Sequence, residues 1–149
     1  MINIAIIDDD KTFCDDFKEQ IKKIDNSYNT DCYYDINTFL ESVSSYNIAI
    51  IDIMLGKDNG IDIASAITEK YPNIKIIFIS VEQDFFQDVY SVNHLYFLVK
   101  PISNEQLKQA LSVCCSEINK QTLYTKLGSG TTAINLNDVS YFEGILKKT

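Results

Sequence analysis

The chain has 149 residues, 46% of them hydrophobic and 23% charged, enough for one globular domain with a full core and a fragment of another. Its formal net charge of −8 disfavours a role in binding nucleic acid or anionic membranes by itself and suits a domain that gathers cations. Four cysteines without a C-x-x-C pair, a single histidine (His94) and no apolar run of membrane-spanning or signal-peptide length argue against a zinc site, a membrane span and a secreted disulfide scaffold. The expectation is a cytoplasmic protein with free thiols, in which Cys14 and Cys114 act as small apolar residues on helices.

Ile2 to Ile7 reads as a first strand, closed at once by Asp8-Asp9-Asp10. A helix is expected from about Lys11 to Ile24, because Phe13, Phe17, Ile21 and Ile24 make one apolar stripe while Lys18, Lys22 and Lys23 take the wet side. Asp31 to Tyr34 is a short second strand, and Asn37 to Ser44 a short helix with Phe39, Leu40 and Val43 inward. The stretch from Asn47 to Gly56 is the third strand and its exit: an apolar run of strand length ends in one carboxylate, Asp52, and a loop rich in Gly, Asp and Asn follows. Asp58-Asn59-Gly60 makes a turn into a helix running to about Tyr71, with Ile63, Ala64 and Ile67 on its core face, and Pro72-Asn73 stops it.

Ile74 to Ile79 is a fourth strand, ending at Ser80. Glu82 to Ser91 is expected as a fourth helix, carrying more aromatic surface (Phe85, Phe86, Tyr90) than a small core needs. Leu95 to Val99 is a fifth strand, ending at Lys100-Pro101, and the last helix runs from about Asn104 to Lys120 with Leu107, Ala110, Leu111, Cys114 and Ile118 inward. Strands alternating with helices imply an α/β fold with a doubly wound, five-stranded parallel sheet, right-handed crossovers and helices on both faces. After Gln121 the pattern changes: Leu123 to Leu127, Ala133 to Leu136 and Val139 to Phe142 read as short strands around Gly128-Ser129-Gly130 and Asn137-Asp138. The expected organisation is a domain over 1–120 and, over 121–149, a linker with the start of a second, β-rich domain too short to be stable alone.

In a doubly wound sheet the carboxyl ends of the strands converge on one edge, where ligands bind. Here those ends carry Asp8 and Asp9, Asp52, Ser80 and Lys100. Any one of these residues alone reads as a turn or helix cap; together they read as a site. Three crowded carboxylates repel unless a cation joins them, and their oxygens suit Mg²⁺, with Asp9 and Asp52 as direct ligands, Asp8 acting through water and the Met54 backbone carbonyl as a further ligand. Asp52 could then attack a phosphoryl group as a nucleophile, with Lys100 neutralising charge on the transferring oxygens and the Ser80 hydroxyl bonding one of them.

The motifs Ile-Ile-Asp8-Asp9-Asp10, Ile-Ile-Asp52-Ile-Met, Ile-Phe-Ile-Ser80 and Phe97-Leu-Val-Lys100-Pro101 resemble those of the receiver domain of two-component response regulators, over roughly residues 1–120. The resemblance implies a flavodoxin-like (βα)5 fold and a signalling domain rather than an enzyme acting on a separate substrate. It implies Mg²⁺-dependent phosphoryl transfer to Asp52 from a phosphohistidine on a sensor kinase, followed by movement of Ser80 toward the phosphoryl group. Phe97 matches the aromatic switch position, and a cis bond is implied between Lys100 and Pro101. Two departures stand out: Leu55 occupies a position where many receivers carry Pro, and Phe97 lacks the hydroxyl of the commoner Tyr. Tyr96 is adjacent but points to the other face.

The stretch from Thr132 to Glu143 is similar to the opening of a LytTR-type DNA-binding domain, which would make the intact protein a transcription regulator, with DNA contacted only through the part that is absent here. Phe85, Phe86, Val89, Tyr90 and Tyr96 either fill the core or form a face, built from the fourth helix, fifth strand and fifth helix, through which two copies associate on phosphorylation. Two other readings remain. Asp8-x-Asp10-x-Thr12 also fits the nucleophile motif of haloacid-dehalogenase-type phosphatases, with Asp8 as nucleophile and Asp10 as acid/base, although no later acidic pair suits the metal and Asp52 is left without a role. A receiver-like interaction module that is never phosphorylated is the third.

Overall fold

The computed structural model describes residues 1–128. Five parallel strands form the sheet: β1 (Asn3–Ile7), β2 (Asn29–Tyr33), β3 (Ile48–Asp52), β6 (Lys75–Ser80) and β7 (Tyr96–Val99), in the spatial order β2-β1-β3-β6-β7. Between β3 and β6 a two-residue pair, β4 (Met54–Leu55) and β5 (Asp58–Asn59), closes a small antiparallel hairpin. The helices are α1 (Lys11–Ile24), α2 (Ile36–Leu40), α3 (Gly60–Lys70) and α4 (Asn104–Gly128). This is the doubly wound, flavodoxin-like arrangement that the alternation of elements implies.

The central strands are apolar on both faces because both are covered. One face packs Ala5, Ile7, Ala49, Ile51, Ile76 and Phe78 against α2, α3 and the segment after β6. The other packs Ile4, Ile6, Ile48, Ile50, Ile77 and Ile79 against α1 and α4, with Cys14, Phe17, Ile21, Leu107, Leu111 and Cys114 supplying the helical side. Helix α1 begins where Asp10 accepts from the Phe13 amide, α2 where Asp35 accepts from Thr38, and α3 where Asn59 accepts from Ile61. Each is an N-cap carboxylate or amide satisfying one otherwise orphaned amide.

Four expectations fail locally. The helix expected over 37–44 is split into α2 and a 3-10 turn at Val43–Ser45; Phe39 and Val43 are buried, but Leu40, at the break, is 45% exposed. The helix expected over 82–91 is two 3-10 turns, Gln83–Phe86 and Asp88–Ser91. Aromatic and β-branched residues there favour the helix poorly, neither turn has a side-chain cap, and the three-residue spacing of buried Val89 and Val92 suits the 3-10 period. The alternation is therefore five strands with four α-helices among the described residues, not five. Finally, the strand expected over 123–127 is helix, since α4 continues to Gly128. Leu123 and Leu127 satisfy the helical i, i+4 spacing as well as the strand period, and extending an existing helix is far easier than starting a new element. The strands expected over 133–136 and 139–142 lie outside the described residues. No described helix is long and apolar enough to cross a membrane.

Candidate functional site

The strand register brings the site together. Ile7 pairs with Ile51, Asp52 with Ile79 and Ser80 with Val99, so the residues that close these strands line one edge of the sheet. The backbone holds them there: the Asp8 amide donates to the Tyr33 carbonyl (3.0 Å) and the Lys100 amide to the Ser80 carbonyl (2.8 Å), extending each ladder by one rung. The Lys100–Pro101 peptide bond is cis, as the resemblance implies.

Asp8, Asp9 and Asp52 each place one carboxylate oxygen within 4.8 Å of the others. Asp8 and Asp52 are buried and Asp9 is exposed, so the cluster opens to solvent on the Asp9 side. The Lys100 ammonium donates to Asp8 Oδ2 (2.6 Å) and to Asp52 Oδ2 (3.1 Å). Burial by itself would lower the Lys100 pKa, but the hydrogen bonds and charges of the two carboxylates outweigh it and hold it above the ordinary lysine value. Asp52 is pushed the other way for a carboxylate: burial, then the Asp8 charge, raise it to about 6 despite the Met54 amide and Lys100. A buried carboxylate whose charged form is disfavoured beside two others is a site that added positive charge would stabilise. The donor set, all hard oxygens open on one side, fits a divalent cation such as Mg²⁺.

The remaining contacts aim these groups. Met54 N–H donates to Asp52 Oδ1 (3.0 Å), leaving Oδ2 to Lys100. Asp10 N–H donates to Asp8 Oδ1 (2.9 Å), fixing the Asp8 rotamer. Ser80 is fully buried, and its Oγ accepts from the Glu82 amide (3.0 Å). Phe97 is half-buried against the same core face as Phe78, its partner across the β6–β7 pair; strand alternation puts Ser80 on that face too, two residues beyond Phe78. Tyr96 packs on the opposite face. Asp8, Asp9, Asp52, Ser80 and Lys100 thus lie on this edge, Phe97 lies on the strand leading to it, and Met54 follows Asp52 with its amide on the Asp52 carboxylate.

Three contributors escape a reading of the sequence. A Cβ at Gly60 would stand 2.2 Å from the Asp52 carbonyl oxygen, so only glycine lets α3 start against the end of β3. Gly56 turns the loop at φ +58 beside the Asp9 carboxylate. Phe13, which reads as one member of an apolar stripe, lies under the Lys100 ammonium, 4.0 Å from its ring centre. The Asp-Asn-Gly turn signal could have flagged Gly60; nothing local marks Phe13, whose partner is 87 residues away.

The phosphatase reading gains nothing from this geometry. Asp8 and Asp52 are alike in it: both are buried, and each has both carboxylate oxygens engaged, Asp8 by the Asp10 amide and Lys100, Asp52 by the Met54 amide and Lys100.

Comparison with known proteins agrees. The family model described as the response regulator receiver domain matches residues 4–112. Among curated proteins, the chain is 26% identical over 114 residues to the sensory transduction protein LytT of Bacillus cereus and 25% identical over 114 residues to LytT of Bacillus anthracis. Each match covers 74% of this chain and 46% of the relative, so the chain spans about half the length of the curated relatives it matches. Among solved structures, a CheY-like receiver domain protein from Methanospirillum hungatei superimposes with a TM-score of 0.71 at 21% identity, covering 80% of this chain and 98% of that one. The response regulator TrrA from Thermotoga maritima, solved in complex with Mg²⁺ and a beryllium fluoride, gives 0.69 at 23% identity, covering 76% and 99%.

Proposed function

The chain belongs to the response regulator receiver domain family, and from that premise we propose that Asp52 accepts a phosphoryl group from the phosphohistidine of a sensor histidine kinase, in the cytoplasm and with Mg²⁺ bound. The observation that supports this best is the buried Asp52 carboxylate gathered with Asp8, Asp9 and Lys100 at one strand edge. Asp8, Asp9, Asp52 and the Met54 backbone carbonyl would hold the ion, which when bound would neutralise the carboxylates and the developing charge on the phosphoryl oxygens.

The chain's own groups do the rest. An Asp52 carboxylate oxygen attacks phosphorus as the phosphorus–nitrogen bond of the phosphohistidine breaks, and the imidazole leaves. Met54 N–H holds the other carboxylate oxygen, so the attacking one is oriented. Lys100, already bonded to Asp52, shifts onto a phosphoryl oxygen as the charge moves there. Ser80 Oγ gives up its bond to the Glu82 amide and donates to another phosphoryl oxygen. That movement empties space beside Phe78 on the sheet face that Phe97 shares, and Phe97 turns inward to fill it. Phe97 has no hydroxyl, so its inward state is held by packing alone.

The consequence is a remodelled surface around residues 83–91, β7 and α4. Tyr90 is 68% exposed there, beside an open cleft of about 720 Å³ lined by Val92, His94, Tyr96 and Phe97 among others. A homodimer through this face, strengthened by phosphorylation, is the expected output. In the intact protein a LytTR-type domain would carry that change to DNA and so to transcription.

The deciding experiment is treatment with acetyl phosphate and Mg²⁺, followed by mapping of the modified residue. Phosphate on Asp52, lost in Asp52→Asn, is the expected result; label on Asp8 and not Asp52 would restore the phosphatase reading. Sedimentation of the beryllium fluoride-treated protein tests the output: an unchanged monomer would remove the dimer from the scheme.

A further inference from the structure

Cys14 and Cys32 form a second reactive cluster on the other side of Asp8. Cys14 lies in the first turn of α1 and is fully buried; Cys32 lies on β2, the edge strand, is half-buried, and faces the same helix. Cys32 Sγ donates to the Cys14 carbonyl (3.5 Å), and Cys14 Sγ donates to the Asp8 carbonyl (3.4 Å). Cys32 Sγ therefore lies against the backbone of Cys14. None of this is required by the phosphoacceptor chemistry.

We propose that Cys14 and Cys32 are a dithiol that a peroxide converts reversibly to a disulfide, and that the disulfide loosens Asp8 and slows phosphorylation of Asp52. The second half rests on the phosphoacceptor reading of the acidic cluster. Cys32 is half-buried and Cys14 fully buried, so Cys32 is the member that meets the oxidant. The Cys14 side chain beside it, and more weakly the Lys18 ammonium, lower its pKa against the effect of burial, which favours the nucleophilic thiolate, while the same pairing and burial raise the Cys14 thiol, which stays protonated until it is consumed. Its sulfur attacks hydrogen peroxide; the oxygen–oxygen bond breaks, hydroxide leaves, and Cys32 becomes a sulfenic acid. The Cys14 sulfur then displaces the sulfenic oxygen, forming the sulfur–sulfur bond. That oxygen leaves as hydroxide and takes up the Cys14 proton. In sum two thiols and one peroxide give one disulfide and two waters.

The consequence for the site follows from the Cys14 hydrogen bond. Once Cys14 has no S–H, the Asp8 carbonyl loses its donor in a buried position. The first turn of α1, which Asp10 caps and whose Phe13 ring supports Lys100, is drawn toward β2. Asp8 and Lys100 are the two groups that set the charge around Asp52. Disturbing a residue that positions such a ligand typically costs ten- to a hundredfold, so phosphorylation of the oxidised protein should be slower by roughly tenfold.

The test uses the full chain, treated with near-stoichiometric hydrogen peroxide, alkylated at its remaining thiols and digested with trypsin. Lysines at 11, 18, 23 and 57 place the two cysteines in separate peptides, 12–18 and 24–57. The expected product is these two joined, released by dithiothreitol and absent from Cys32→Ser. Sulfinic acid on Cys32 with Cys14 still free to alkylate, or a disulfide confined to Cys114 and Cys115, overturns the dithiol. Acetyl phosphate labelling is then followed on reduced and oxidised portions of one preparation. Slower labelling after oxidation, with Cys32→Ser insensitive to peroxide, supports the coupling, and equal rates overturn it. If the reduced protein takes no label, the phosphoacceptor reading fails and the coupling with it, while the cross-link still decides the thiol pair.

Discussion

Asp52 is the residue on which charge, burial and chemistry meet. Its folded pKa of about 6 exceeds its ordinary value of 3.8, so the folded state takes up a proton more readily than the unfolded one. The stability associated with that proton is present below pH 4 and is lost as the pH rises through 6. Urea titrations without Mg²⁺ should therefore show stability falling between pH 4 and pH 7, and Asp52→Asn should flatten this part of the profile and gain about 1–2 kcal/mol at pH 7. Lys100 has the opposite role. Lys100→Met leaves Asp8 and Asp52 buried without their shared cation, which should cost about 1–3 kcal/mol in the same titration. It should also slow acetyl phosphate labelling on the order of a hundredfold, because no other described ammonium bonds Asp52.

At the scale of elements, the approach of α3 to β3 controls where Asp52 points. The Gly60 amide donates to the Ile53 carbonyl at 2.7 Å, and a Cβ at Gly60 would collide with the Asp52 carbonyl. Gly60→Ala must push α3 away from the end of β3, which we expect to cost about 2–4 kcal/mol in urea denaturation and to lower labelling of Asp52 in the fraction that stays folded. Gly56→Ala makes the contrast. There the added carbon has room, 3.8 Å from Asp9, and the loss is only the left-handed backbone penalty of about 1–2 kcal/mol. The same scale shows why the segment after β6 misleads. Its aromatic and β-branched residues mark it as packed, which Val89 and Val92 are, but packing can be met by 3-10 turns as well as by an α-helix. Nothing in a ten-residue window distinguishes the two.

For the molecule as a whole, a cation held by the acidic cluster would couple its binding to folding. Any ion that binds the folded state alone stabilises it by mass action, about 2.7 kcal/mol at a concentration a hundredfold above its dissociation constant. Millimolar Mg²⁺ should raise the melting temperature of the wild type, and Asp9→Ala should remove most of that rise while leaving the ion-free melting temperature nearly unchanged, since Asp9 is exposed. An unaltered melting temperature in Mg²⁺ would favour a module that is never phosphorylated. The net charge of −8 acts at this scale too, since the cluster sits in a field that already gathers cations.

The sequence by itself determined the sheet and its chemistry. Apolar runs such as Ile48 to Ile51 and Ile76 to Ile79 read as strands buried on two faces, and once they lie parallel their carboxyl ends must share an edge, so Asp8, Asp9, Asp52, Ser80 and Lys100 follow from chain order. Residue type then limits what that edge can do. What only the tertiary structure decided are matters of distance between residues far apart in the chain: Lys100 resting on Phe13, Gly60 against the Asp52 carbonyl, and the two thiols behind Asp8. It also decided the form of 83–91 and the run of α4 through 121–128. Local patterns state which side of a segment is apolar; only the surface it meets selects the turn, the helix length and the partner of each side chain.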